Sequence, residues 1–190
     1  MSFVKYDSAE SKPMVFISYA HEDWQIVEKF EDYFCEQGYH IWFDKTRLEI
    51  GDEFNVEINQ NIKNCAIMLC FLSKNYVRKP YCKLEFNNAI DNRRSIATVC
   101  LDDVDKETNA DAEYMFSRYS GYNVLRYGTG IRDEKEFKEV CEELHASSLF
   151  QYALMSDEER AKNAMHFNTT TALRDRLAFH RKSVYKISGN

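Results

Sequence analysis

The chain has 190 residues, 44% hydrophobic and 14% aromatic, which is enough apolar material for one packed domain and too much for a disordered chain. Its 25 Lys and Arg face 31 Asp and Glu, a net charge of -6, so general affinity for a phosphate backbone is excluded and no nucleic-acid partner is expected. No apolar run approaches the ~20 residues that span a bilayer, and residues 1–10 lack the charged-then-apolar order of a secretory signal, so a cytoplasmic protein with no membrane partner is expected.

A polar leader, residues 1–12, precedes Pro13, and Met14 to Ser18 is expected as the first strand. Asp23 is placed to cap a helix whose apolar face is Ile26, Val27, Phe30 and Phe34, with Gly38 as its stop. Tyr39 to Phe43 is a second strand, rich in aromatic and β-branched residues. After the polar loop from Asp44 to Gly51, Asp52 caps a helix with Phe54, Ile58 and Ile62 at fourfold spacing. Ala66 to Leu72 is a continuous apolar run, as a strand covered on both faces should be. Pro80 suits the first turn of a helix reaching Asn92, with Tyr81, Leu84 and Ala89 on its apolar side.

Ser95 to Leu101 reads as a fourth strand and Gly121 to Tyr127 as a short fifth. Phe137, Val140, Cys141 and Leu144 make the clearest helical pattern, between Asp133 and Ser148. Strands and helices alternating at these lengths imply a parallel sheet with helices on both faces. Residues 149–190 break the rhythm: they are net +3 against -9 for the remainder, and Leu173, Leu177 and Val184 suggest one more helix. The expected division is leader 1–12, domain 13–148 and a helical C-terminal extension 149–190.

The six cysteines, at 35, 65, 70, 82, 100 and 141, form no Cys-x-x-Cys pair and no close Cys/His cluster, so reduced core thiols and no metal site are expected.

Open parallel sheets bind ligands beyond the carboxyl ends of their strands. A P-loop is absent there, as is a Gly-x-Gly-x-x-Gly dinucleotide fingerprint, since position 133 after Gly128-Thr129-Gly130 is Asp. The Asp of a phosphoacceptor regulator is replaced by Leu72-Ser73, and no Gly-x-Ser-x-Gly elbow occurs. The strand ends instead carry Phe16-Ile17-Ser18-Tyr19, then Gly38-Tyr39 with Trp42-Phe43-Asp44 and a Gly51-Asp52 loop, then Ser73 and Tyr76 followed by Tyr81-Cys82-Lys83-Leu84-Glu85. With these three motifs in register, over about seven tenths of the chain, it resembles the TIR (Toll/interleukin receptor) domain family.

The resemblance implies a flavodoxin-like, three-layer α/β fold with a central parallel five-stranded sheet. It also implies one of two functions. Receptor and adaptor members are scaffolds that assemble through the loop after the second strand; plant, bacterial and one animal axonal branch cleave NAD+ at the nicotinamide ribosyl bond. A free-standing domain of this kind resembles prokaryotic immune or toxin proteins of antiphage defence, whose nucleotide product is sensed by a downstream effector.

In catalytic members a Glu on the third helix, in a Trp-x-x-x-Glu context, is the catalytic carboxylate; the matching residues here are Tyr81 and Glu85. The competing reading of Glu85 is a solvated helix carboxylate. Tyr81 and Phe43 are expected to line a slot for flat rings, with Trp42 facing away from Phe43 into the core. Ala20 and His21 stand where the axonal enzyme has two basic nucleotide contacts, Glu49 matches an acid near the ligand, and Lys45 and Arg47 are further phosphate partners. NAD+ would be substrate, with no cofactor, and TIR domains would self-associate. The alternatives are a non-catalytic scaffold, an adaptor or mimic of host signalling, and, more distantly, a nucleoside ribosyltransferase.

Overall fold

Along β1 (Met14–Ser18), side chains alternate: Val15 and Ile17 enter one apolar cluster, and Phe16 enters the other. The computed structural model describes residues 13–43, 52–102, 124–127, 131 and 133–163, with the backbone alone at 52–55, 124–127, 157, 161 and 163. β2 is His40–Trp42, β3 Ile67–Leu72, β4 Ser95–Cys100 and β5 Val124–Tyr127. They form a 5-stranded sheet in the order β2-β1-β3-β4-β5, and every neighbouring pair is parallel. β1 thus lies inside the sheet, with Phe16 level with Trp42 on one side and Met68 on the other. All six residues of β3 are buried, as its unbroken apolar run requires.

Helices cover both faces, in the flavodoxin-like α/β arrangement. On one face lie α1 (Trp24–Glu36), α4 (Glu134–Ala146) and α5 (Ser148–Leu154); Phe30, Phe34, Phe137, Leu144 and Phe150 pack there on Val15, Ile17, Leu69 and Val99. On the other face α2 (Asp52–Asn64) and α3 (Pro80–Asp91) pack Ile62, Cys82, Phe86 and Ala89 on Phe16, Met68, Cys70 and Ile96. A last short helix, α6, is Asp157–Asn163. Gly38 ends α1 at φ 82, the left-handed value that a Cβ would penalise, and Tyr39 N–H closes the turn on the Phe34 carbonyl.

Three expectations change, and a fourth goes untested. Asp23 occupies the cap position of α1, yet its carboxylate makes no cap bond; its oxygens are engaged across the sheet end instead. Leu84 is 57% exposed, because Cys82, Phe86, Ala89 and Ile90 recur at helical spacing toward the sheet and position 84 falls half a turn away from them. The boundary expected after 148 cuts into the core: Phe150 and Ala153 of α5 are both 0% exposed. The helix suggested by Leu173, Leu177 and Val184 lies outside the described residues. No disulfide joins any of the six cysteines, five of which are buried.

Candidate functional site

β1 runs toward its carboxyl end with Phe16 on the face that carries α2 and α3, so Ser18, two residues on, points the same way. α3 crosses this end. Pro80 starts the helix without a donor to leave orphaned, and Glu85 falls one turn after Tyr81 on the same side. The result joins residues 67 positions apart: Ser18 Oγ donates to Glu85 Oε2 at 2.5 Å. Ser18 is buried and Glu85 half-buried.

A second hydroxyl stands behind the first. The 3-10 turn Tyr76–Arg78 brings Tyr76 Oη to 2.8 Å from Ser18 Oγ. A serine hydroxyl has one proton, and Ser18 gives it to Glu85, so Tyr76 is the donor to Ser18. Cys70 is level with Ser18 on β3, and Thr98 level with Cys70 on β4, making a row of small polar side chains across the sheet. Burial pushes the Cys70 thiol well up, and the charge of Glu85 adds to it. Cys70 therefore stays a neutral thiol.

The surrounding loops are tied together. Asp23 accepts from Ser73 Oγ at 2.5 Å and from Asn75 Nδ2 at 2.9 Å, and Ser73 Oγ in turn accepts from Tyr76 N–H at 2.9 Å. Lys79, just before α3, pairs with Glu22, just after β1. The Lys74 N–H reaches both oxygens of Asp102 at the end of β4, at 3.1 Å each.

The predicted site residues fall in four groups. Glu85, Tyr81 and Ala20 share one side of the sheet, Ala20 being fully buried beside Trp42, Tyr76 and Cys82 with Tyr81 packed on the same cluster. His21 is exposed in the short turn His21–Asp23 that follows β1. Phe43 is not brought to them: it is 8% exposed in the opposite cluster and stacks on Trp24 at 5.4 Å, while Trp42 takes the Glu85 face and stacks on Phe16 at 4.8 Å. Strand alternation separates the two rings as the sequence implied, but it is Trp42 that shares a face with Glu85. Lys45, Arg47 and Glu49 lie outside the described residues. A separate groove of about 310 Å³ on the outer side of α2 and α3 is lined by Asn59, Lys63, Leu84, Asn87, Asn88 and Asp91 and does not include Glu85. Among the described residues no His/Cys/Asp/Glu group could hold a metal ion.

Sequence reasoning assigned no role to Ser18, Tyr76 or Cys70, although all three stand in or beside the matched motifs. The available signal was a polar residue at the end of an otherwise apolar strand, which has to find a partner when buried.

A parallel sheet covered by helices on both faces defines the α/β class. The sequence model of the TIR domain matches residues 15–141, and the chain belongs to the TIR domain family. Over 76 residues it is 29% identical to the 2' cyclic ADP-D-ribose synthase BtTIR of Bacteroides thetaiotaomicron, a match covering 40% of this chain and 26% of the relative. The chain thus spans about a quarter of the length of the curated relative it matches. The Clostridium botulinum CMP N-glycosidase BcmB has the same fold, with a TM-score of 0.51 at 16% identity over 70% of this chain and 99% of that one. The TIR domains of the activated Roq1 resistosome align at 20% identity with a TM-score of 0.45, covering 76% of this chain and 85% of that one. No helix among the described residues is long and apolar enough to cross a membrane.

Proposed function

We propose that the protein cleaves the nicotinamide ribosyl bond of NAD+, as a glycohydrolase or an ADP-ribosyl cyclase, with Glu85 as its catalytic carboxylate. One observation carries this reading: Glu85 is fixed by Ser18 at the carboxyl end of β1, where an open parallel sheet takes its ligand. When the C1′–N bond breaks, its electron pair leaves with nicotinamide and the ribosyl carbon becomes cationic. A half-buried carboxylate stabilises that charge far better than an exposed one. No general acid is needed, because nicotinamide carries a positive charge before it leaves and departs neutral. Water arriving at C1′ gives linear ADP-ribose, and an acceptor within the same molecule gives a cyclic isomer; the curated relative is named for such a product.

Tyr81, one turn before Glu85, supplies an aromatic surface beside the reacting ring. Phe43, stacked into the opposite cluster, is left out of that role. Lys45, Arg47, Glu49 and His21 remain the candidates for the nucleotide's polar groups. Association with a second TIR domain, release of a product to a nucleotide-sensing effector in defence, and a cytoplasmic location belong to the same reading.

The test is turnover of NAD+ by concentrated protein, with products resolved by mass spectrometry and CMP offered in parallel. Glu85→Gln keeps volume and removes charge, so turnover should fall by about 10² to 10³ with the melting temperature almost unchanged. Wild-type turnover in the Gln variant would reduce Glu85 to a surface carboxylate. No turnover in either protein, with TIR partner binding intact in both, would favour the scaffold.

A further inference from the structure

We infer that Ser18 and Tyr76 form a two-hydroxyl relay whose work is to hold the Glu85 carboxylate in one orientation at the sheet end, which makes both of them positioning residues for the proposed reaction. The inference rests on that reading of Glu85 but has observations of its own. Ser18 is 1% exposed and Tyr76 0% exposed, so neither hydroxyl owes its placement to solvent. The donors run in one direction, Tyr76 to Ser18 at 2.8 Å and Ser18 to Glu85 at 2.5 Å, and both hydroxyls are fully engaged by this chain. Tyr76 Oη also lies 3.4 Å from the Cys82 carbonyl, one turn before Phe86 on the helix that carries Glu85. The relay therefore touches α3 twice.

Its base is rigid for a separate reason. Tyr76 N–H donates to Ser73 Oγ, and Ser73 is bound to Asp23, so the turn carrying Tyr76 is fixed to the turn after β1. A flexible Glu side chain has three rotatable bonds, and in a half-exposed site it would sample several rotamers. A short hydrogen bond from a buried serine selects one of them. Stabilisation of a ribosyl cation depends on the carboxylate being in place before charge develops, and a misplacement of about 1 Å can cost on the order of 10² in rate.

Two measurements on the full chain test this, one independent of activity. The first is the carboxyl ¹³C resonance of Glu85 at neutral pH, identified by its loss in Glu85→Gln. In the wild type it should stand apart from those of exposed glutamates, and in Ser18→Ala and Tyr76→Phe it should move toward them. The second is NAD+ turnover: kcat should fall about tenfold in Ser18→Ala with KM changed less than roughly threefold, fall less in Tyr76→Phe, and recover in Ser18→Thr, which restores the hydroxyl. A merely structural role would lower the melting temperature without that split or that recovery. Should Ser18→Ala fail to fold, the isosteric Tyr76→Phe carries both readouts. An unmoved Glu85 resonance in the variants overturns the relay whatever the turnover. A moved resonance with no turnover in the wild type supports the relay and sinks the enzymatic reading instead.

Discussion

Buried thiols give the chain a distinctive alkaline behaviour. Burial pushes Cys65 from an ordinary value of 9.0 up to about 12, Cys141 likewise to about 12, and Cys70 upward as well. In the unfolded chain all three ionise near pH 9, while in the fold they keep their protons. The native state therefore binds more protons than the unfolded one between about pH 9 and 12, and stability present below pH 9 is lost as pH rises through that window. Each thiol contributes up to about 1.4 kcal/mol per pH unit to the fall. Urea midpoints measured from pH 8 to 10.5 should decline beyond pH 9, and Cys141→Ala should flatten the decline; an equal slope in the variant would absolve the thiol. At pH 8 a thiol reagent should reach half-buried Cys35 first and the other five only on unfolding. The core positions of Cys65 and Cys70 were legible from the apolar runs around them and that of Cys141 from its helical pattern, while Cys35 is only half-buried. The Ser18–Glu85 bond was not, because a sequence shows two polar residues in matched motifs but not that a strand end and a helix face meet across 67 positions. Asp23 illustrates the reverse error. Its place before an apolar helix suggested a cap, whereas Ser73 and Asn75 compete for the same oxygens from across the sheet and win them.

The strand and helix spans followed from apolar periodicity, since β1, β3 and β4 are mostly apolar runs that cross the core. What periodicity could not reveal was α5. Ser147 and Ser148 after a long helix resemble a terminus, and Ser147 does end α4; but its Oγ also accepts from Phe150 N–H at 3.4 Å and so begins the next helix. Phe150 then stacks on Phe34 at 5.3 Å and meets Tyr39 edge-on at 5.8 Å. Tyr39 binds His145 Nδ1 at 3.0 Å, and Gln151 Nε2 binds the His145 carbonyl at 2.6 Å, so α4, α5 and β2 close together. Phe150→Ala should cost about 3–5 kcal/mol. A chain ending at 148 should lose cooperative melting, and one ending at 163 should keep it, because among the described residues every core position lies at or before Ala153. Cooperative melting of the shorter chain would show that α5 is an appendage after all.

At the scale of the molecule, the proposed activity is expected to depend on association. The segment 44–51 mixes Asp44, Lys45, Arg47 and Glu49 in sequence, a pattern suited to a reversible, salt-sensitive contact between copies. Specific activity should rise with protein concentration and fall with added salt; a rate strictly proportional to enzyme over about a hundredfold range would contradict this. The place of β1 in the sheet has a different consequence, one for synthesis. Met14 waits for His40, 26 residues later, and Phe16 for Met68, 52 residues later. β1 leaves the ribosome before the other strands of its sheet and is thus enclosed only after β2 and β3 have followed it. Until then both its edges and its apolar faces are open, and the nascent chain passes through a stage at which a holdase or a second nascent copy competes with its own later segments for the same strand.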